Sequence, residues 1–290
     1  MHLSMILNEW LQRAKSERWA IGHFNVSNLE AAKAIVAAAA RLRAPVMIGV
    51  SEGERAYFGV WEIAALVGAL REKTGLPIFL NADHTKTYDG IVEAVDAGFD
   101  SVHFDGSELE YEANIRETRH AVEYAKLKNP EISVEGELGY LRGSSKIQEM
   151  VDTSPSDWTD PEQAAAFVSR TGVDRLAPVF GNIHGIVTKS EEKLDIERLR
   201  AVAASTDAFL VLHGGSGLPD HEIRAAIESG IVKAHINTEL RVAYRQGLEQ
   251  ALRDMPLETT PYTYLVPAVE AVQKVVEAKI QLFGSHDKVI

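Results

Sequence analysis

The chain has 290 residues, 46% hydrophobic and 25% charged, with a formal net charge of −12 at pH 7. Those proportions exclude wholesale disorder, and the acidic balance argues against nucleic acid or an anionic membrane surface as the main partner. The absence of cysteine removes disulfide scaffolds, thiolate zinc sites and cysteine nucleophiles together, so any metal site must use His and carboxylates.

From the N-terminus, Met1-His2-Leu3-Ser4-Met5 has no basic region leading into a long apolar core, so no secretory signal is expected and the expected location is cytoplasmic. Apolar stretches reach about ten residues before a charge interrupts them, short of the roughly 20 that a membrane span needs. Strand-like runs then recur at 20–25, 46–50, 78–82, 101–104, 132–137, 175–180, 209–213 and 232–237, each followed by a loop and an amphipathic helical pattern. Asn28-Leu29-Glu30 opens an Ala-rich helix whose 37–40 segment is small enough to pack closely on a sheet. Asp160-Pro161-Glu162 supplies an N-cap and a first-turn proline, and Gly172 stops that helix. Asp195-Ile196-Glu197 and Pro219-Asp220-His221-Glu222 open two more.

Eight such units followed by C-terminal helices predict an α/β fold, a (β/α)8 TIM barrel forming one domain over residues 1–290. No Gly-x-Gly-x-x-Gly follows the first strand, which lowers a doubly wound sheet. The longest connection, 140–160, is rich in Ser, Gly and Thr and reads as a mobile lid or a disordered segment.

In a barrel the chemistry sits at the C-terminal strand ends. There the sequence puts Asn25, Ser51, Asp83-His84, Asp105, Glu135 and Glu137, Asn182 with His184, His213, and His235 with Asn237. Any one of these reads equally as a cap or a solvated loop residue; polar groups at every strand end ask for more. Of the ten histidines, His2 and His286 lie near the termini, His120 is mid-helix, His221 is in a first turn and His103 reads as a satisfied interior histidine. His84, His184 and His213 each end a strand and precede a small or hydroxylated residue. Three imidazoles from different strands can hold Zn²⁺ with a position left open, if the barrel brings them together. After the seventh strand, His213-Gly214-Gly215-Ser216-Gly217 leads into a helix. Such a loop is either a plain tight turn or, beside Asn237-Thr238, a phosphate cradle of backbone N–H groups.

At these residues the sequence resembles the class II, zinc-dependent fructose/tagatose-bisphosphate aldolases. The resemblance is carried in order by Phe24-Asn25-Val26-Ser27-Asn28-Leu29-Glu30, Ala44-Pro45-Val46, Ser51-Glu52-Gly53, Asp83-His84-Thr85, Asp105-Gly106-Ser107, Val134-Glu135-Gly136-Glu137-Leu138-Gly139, Gly181-Asn182-Ile183-His184-Gly185 and Leu212-His213-Gly214-Gly215-Ser216-Gly217. It implies reversible retro-aldol cleavage of a phosphorylated ketose, with fructose 1,6-bisphosphate giving dihydroxyacetone phosphate and glyceraldehyde 3-phosphate through a Zn-stabilised enediolate. By that pattern one Zn²⁺ per subunit is bound by His84, His184 and His213. Asp83 exchanges the proton of the hydroxyl at the breaking bond, and Asp105 and Glu137 lie near the metal as orienting or alternate ligands. Asn25 and Ser51 contact substrate, while Gly185, Gly214, Gly215, Ser216, Asn237 and Thr238 bind the C1 phosphate. Arg241 and Lys279 match basic positions for the far phosphate. A monovalent cation (Na⁺ or K⁺) and a homodimer or homotetramer also follow from the resemblance.

An aldolase can use a Schiff-base lysine instead. Lys233 shares a strand face with His235 and Asn237 but lies below them, so a structural role is expected for it.

The pattern is broken in two places. Family members usually carry Asn where this chain has His235, and a small or apolar residue where it has His23. Alternation puts His23 and Asn25 on one face of a strand neighbouring that of His235, so the two rings are expected to meet near the mouth. In the lid the family's acidic residue, the base for the ketose C3 proton, is replaced by Leu141-Arg142-Gly143-Ser144-Ser145-Lys146. Ser145 stands near that position, and Glu149 is the nearest substitute. These departures keep open an aldolase for tagatose bisphosphate or another ketose or sugar-acid phosphate, and beside it a non-catalytic aldolase-like subunit.

Overall fold

In the computed structural model, which describes residues 5–189 and 193–289, every predicted run forms a strand. The strands are β1 (Ile21–Asn25), β2 (Val46–Val50), β3 (Ile78–Thr85), β4 (Ser101–Phe104), β5 (Ser133–Leu138), β6 (Gly143–Gln148), β7 (Arg175–Pro178), β8 (His184–Val187), β9 (Phe209–Leu212) and β10 (Ile231–Ile236). Eight of them close a barrel in the order β1-β10-β9-β7-β5-β4-β3-β2, each pair parallel, the expected TIM barrel. The first four residues of the segment read for a leader, His2 among them, lie outside the described residues.

The helices are α1 (Leu7–Glu17), α2 (Leu29–Leu42), α3 (Glu52–Phe58), α4 (Val60–Thr74), α5 (Tyr88–Asp96), α6 (Tyr111–Lys128), α7 (Pro161–Thr171), α8 (Ile196–Ser205), α9 (Asp220–Glu228), α10 (Thr238–Asp254), α11 (Pro261–Tyr264) and α12 (Val266–Leu282). Asn28 caps α2 by accepting from the Ala31 N–H at 2.9 Å, and the helix buries Ala31, Ala32, Ala34, Ala38 and Ala39. Such small side chains let the helix lie close to its neighbours, and α12 packs against it. Asp160 caps α7 and Gly172 ends it in the left-handed region, as the sequence signals require.

The 140–160 connection is not an irregular loop. Its first part, β6, pairs in parallel with β8 as a ribbon over the barrel mouth, Gly143 opposite His184 and Gln148 opposite Val187. Arg142 grips Asp157 through two hydrogen bonds of 2.6 and 3.0 Å and ties the far end of the segment back. Sequence periodicity is silent about β6 because Ile147 is its one large apolar residue and none of its side chains is buried.

Below the mouth the barrel interior is polar as well as apolar. Glu135 accepts from Arg175 Nε at 2.8 Å and from Lys233 Nζ at 2.7 Å, and all three residues are fully buried. Arg175 also donates to Ser101 Oγ at 2.6 Å. Lys233 is thus spent on an ion pair. Burial lowers its pKa to about 8; the attraction of Glu135 resists that fall, and Arg175 adds to it. Removing one partner of a buried ion pair typically costs about 3–5 kcal/mol because the other charge is left uncompensated. Arg175→Met is expected to lower the free energy of urea unfolding by about that amount; a loss below about 1 kcal/mol, the scale of a surface pair, would show that the trio does not hold the barrel floor.

Candidate active site

Two neighbouring residues of one strand normally point to opposite faces, yet Asp83 and His84 both line the same cavity at the barrel mouth. The backbone explains it. The β3–β4 register shifts between Ala82 and Thr85, and His84 adopts a left-handed φ of 43°. A bulge of this kind re-aims a side chain, at a strain cost that such sites tolerate. It also lets the His84 N–H donate to His103 Nδ1 at 3.2 Å.

The cavity has a volume of about 220 Å³. Asn25, Ser51, Asp83 and His84 line it from β1, β2 and β3. His184 and Gly185 line it from β8, His213, Gly214 and Ser216 from the end of β9, and His235, Asn237, Thr238 and Arg241 from β10 and α10. Ser145 reaches it from the lid. Most of the residues anticipated for the site therefore line one cavity, while Asp105, Glu137, Glu149, Gly215 and Lys279 do not.

The imidazoles have defined partners. His84 Nδ1 lies 2.8 Å from Asp105 Oδ2 and 3.6 Å from Glu137 Oε2. His213 Nε2 lies 2.7 Å from Glu135 Oε1. With those N–H groups donated to carboxylates, the remaining nitrogens, His84 Nε2 and His213 Nδ1, face each other with lone pairs 3.0 Å apart. Two lone pairs at that distance need a positive charge between them, a shared proton or a metal ion. A carboxylate behind each ring is the arrangement that orients metal-ligating histidines. Ligand atoms of Asp83, His84, His103 and His213 lie within 4.8 Å of one another, as do those of His84, Asp105 and Glu137. The donors present thus fit a divalent ion. His184 flanks this group: its ring centroid is 4.9 Å from that of His84 and 6.4 Å from that of His213.

His23 and His235 meet as expected. Their rings stack at 3.7 Å, and His235 stacks on its other side against His213 at 3.8 Å. His235 Nδ1 is 3.4 Å from Asp83 Oδ1, and its buried Nε2 has no hydrogen-bond partner. Burial, with His213 and His23 adjoining, pushes its pKa well below the usual histidine value and keeps the ring neutral. Burial alone would raise Asp83, but His84, His103 and His23 outweigh it and hold the carboxyl well below its usual range.

The loop after β9 is built for close approach. Gly214 has φ of 71°, and a Cβ there would lie 1.9 Å from the Ile183 carbonyl oxygen. Asn182 fastens the loop by donating to the His213 carbonyl at 3.1 Å. Ser216 Oγ accepts from the Asn237 and Glu239 N–H groups at 3.2 and 3.4 Å. Gly215 does not line the cavity; its N–H donates to the His235 carbonyl at 3.1 Å and braces the loop on β10.

Two anticipated residues stand apart. Glu149 is exposed, pairs with Lys189 at 2.5 Å and does not line the cavity, because β6 carries Ser145 toward it instead. Lys279 is buried on α12, pairs with Glu239 at 2.8 Å and also lies outside the cavity lining. Two residues carry more than the sequence reading assigned them. Glu135, noted there only as a strand-end carboxylate, orients His213. Glu54 was not singled out at all, although Ser51-x-x-Glu54 is a capping-box signal. It accepts from the Ser51 N–H at 2.8 Å and from Ser51 Oγ and Asn25 Nδ2 at 2.9 Å.

A family model described as fructose-bisphosphate aldolase class-II matches residues 6–288. The chain is 36% identical over 285 residues to the fructose-bisphosphate aldolase of Staphylococcus aureus (strain N315), covering 97% of this chain and 98% of the relative. Among solved structures, the YdjI aldolase from Escherichia coli K12 superposes with a TM-score of 0.84 at 33% identity, covering 98% of each chain. The fructose-bisphosphate aldolase from Campylobacter jejuni shares the fold, with a TM-score of 0.83 at 24% identity over 99% of this chain and 96% of the other.

Gly214→Ala places a side chain both in the left-handed region, at a cost of about 1–2 kcal/mol, and against the Ile183 carbonyl. A fall in the free energy of urea unfolding of at least that size is expected; an unchanged value would mean the loop has room to relax.

Proposed function

The chain belongs to the class II fructose-bisphosphate aldolase family, and on that premise we propose that it cleaves the C3–C4 bond of a ketose carrying phosphate on C1, fructose 1,6-bisphosphate being the substrate tested first. The observation that carries the reading is the facing nitrogen pair of His84 and His213, each ring backed by a carboxylate. His84 and His213, with His184 beside them, hold the divalent ion that the family requires. Zn²⁺ suits an imidazole donor set, and one ion serves each subunit. When bound, the ion supplies Lewis-acid stabilisation of the negative charge that cleavage leaves on the ketose fragment.

The chain's own residues do the rest. Asp83, held ionised, takes the proton of the C4 hydroxyl as the C3–C4 electron pair passes to the ketose fragment and C4 becomes the aldehyde carbon. In the synthetic direction it returns that proton to the new hydroxyl. Asn25 Nδ2, 3.0 Å from Asp83 Oδ2, fixes the carboxylate's orientation. The neutral His235 offers its free Nε2 to the ketose oxygens. The C1 phosphate sits against Gly185, Gly214, Ser216, Asn237 and Thr238, where the N-terminus of α10 adds a favourable dipole. Asp105 and Glu137 hold His84 in position. Glu149, turned toward Lys189, is a weaker choice than the cavity-lining His235 for the group that handles the C3 proton.

The reading carries with it a cytoplasmic homodimer or homotetramer. Among the described residues no helix is long and apolar enough to cross a membrane, and exposed Tyr57, Trp61 and Tyr262 offer apolar surface to a second copy. A non-catalytic subunit is disfavoured by the retained imidazole–carboxylate set.

Purified protein is expected to cleave fructose 1,6-bisphosphate in a coupled assay and to lose that activity to a chelator. His213→Ala is expected to lose both bound zinc and activity while retaining the barrel's circular dichroism; a variant with full metal content and rate would sink the ligand assignment. Asp83→Asn is expected to keep its zinc and lose about 10²–10⁴-fold in kcat. A loss confined to KM would remove Asp83 from the proton transfer.

A further inference from the structure

Glu54 is a buried carboxylate, its side chain 5% exposed, behind the wall of the cavity. Its Oε2 accepts from Asn25 Nδ2 at 2.9 Å, from the Ser51 N–H at 2.8 Å and from Ser51 Oγ at 2.9 Å. Its Oε1 accepts from Arg241 Nη2 at 2.6 Å. Asn25, Ser51 and Arg241 all line the cavity, and Arg241 is the one arginine or lysine among the described residues that do so. A guanidinium, a backbone N–H, a hydroxyl and an amide converging on one point make an anion receptor. In this chain a carboxylate of the protein itself already fills it. Arg241 spends another N–H on the Ser145 carbonyl at 3.2 Å, so the guanidinium is tied to Glu54 on one side and to the lid on the other.

We propose that Glu54 is a specificity-determining residue: it occupies the receptor that a phosphate on the far end of the ketose would use, so the enzyme accepts ketose 1-phosphates with an uncharged far end about as readily as bisphosphates. The inference rests on the aldolase reading and narrows its substrate class. The Arg241–Glu54 pair is neutral overall, so a dianion approaching Arg241 meets a fixed negative charge directly behind it and gains little Coulomb energy. Lys279, the other cation expected to face that end, is neutralised in the same way by Glu239, outside the cavity.

Glu54→Gln separates this role from plain helix capping. Glutamine at this place in a capping box still accepts from Ser51, so α3 keeps its cap while the charge disappears. The experiment measures kcat/KM for fructose 1-phosphate and fructose 1,6-bisphosphate with the zinc-loaded protein and with the variant. The expected wild-type ratio lies within about tenfold of one, and Glu54→Gln is expected to raise the preference for the bisphosphate by at least about tenfold, the scale of one charge-assisted hydrogen bond. An unchanged ratio overturns the proposal, as does a wild type that already prefers the bisphosphate by several orders of magnitude. Calorimetric titration with inorganic phosphate gives a readout free of turnover. Glu54→Gln should gain a phosphate site absent from wild type, and adding Arg241→Ala should remove it. If the wild type cleaves neither sugar, the aldolase reading fails, and the titration alone decides the receptor: a gained site upholds it and no gained site overturns it.

Discussion

The upper barrel is organised around two imidazole nitrogens that face each other at 3.0 Å with a carboxylate behind each ring. Neither nitrogen can move away cheaply. His213 is pinned by Glu135, and His84 by Asp105 and by its own strained backbone. The surrounding charge has the same requirement. Asp83, Glu135 and Glu137 are buried, and burying carboxylates without compensation costs several kcal/mol each. Glu135 has Arg175 and Lys233; the others depend on imidazoles. Their negative potential outweighs burial and raises the pKa of His84, and it lifts His103 to about 10. A divalent ion at this point would answer the repulsion of the lone pairs and the excess of carboxylates together, so its binding would also stabilise the fold.

That centre continues downward. Arg175 and Lys233 on the barrel floor hold Glu135, Glu135 holds His213, and His213 faces His84. A lysine that alternation aligns with the mouth is thereby explained without nucleophilic chemistry. It supplies charge to a carboxylate whose other oxygen orients an imidazole. The same stacking of layers places His23 and His235 side by side, because β1 and β10 pair with those two residues in register. The third ring of that stack is His213, so His235 is in van der Waals contact with a proposed metal ligand and His23 backs it from the other side.

Much of this was legible in the sequence because a TIM barrel converts periodicity into position. Eight β-branched runs separated by capped helices gave the strand count, and polar residues at the run ends gave the mouth. What escaped is what depends on local backbone geometry or on long-range pairing. That Asp83 and His84 point the same way follows from a bulge that no alternation rule reports. The β6–β8 ribbon has no hydrophobic period, since neither face of β6 is buried, and with it went the orientation of Glu149. Lys279 carries the right charge in the right segment, but its partner Glu239 lies forty residues earlier on another helix. Glu54 was hidden by its own signal: three residues after Ser51 it reads as a helix cap, and it is one, while its second oxygen reaches an arginine from the far end of the chain.

Asn25 joins the two ends of the cavity. Its Nδ2 stands 3.0 Å from Asp83 and 2.9 Å from Glu54, so one amide serves two carboxylates. An amide nitrogen carries two N–H groups, one for each carboxylate, so Asn25 holds Asp83 and Glu54 at a fixed spacing and both contacts are made at once. The lid shares in the linkage, since Arg241 also holds the Ser145 carbonyl of β6. A continuous run of hydrogen bonds therefore ties the carboxylate beside His84 to the far wall and to the lid, from Asp83 through Asn25, Glu54 and Arg241 to the Ser145 carbonyl.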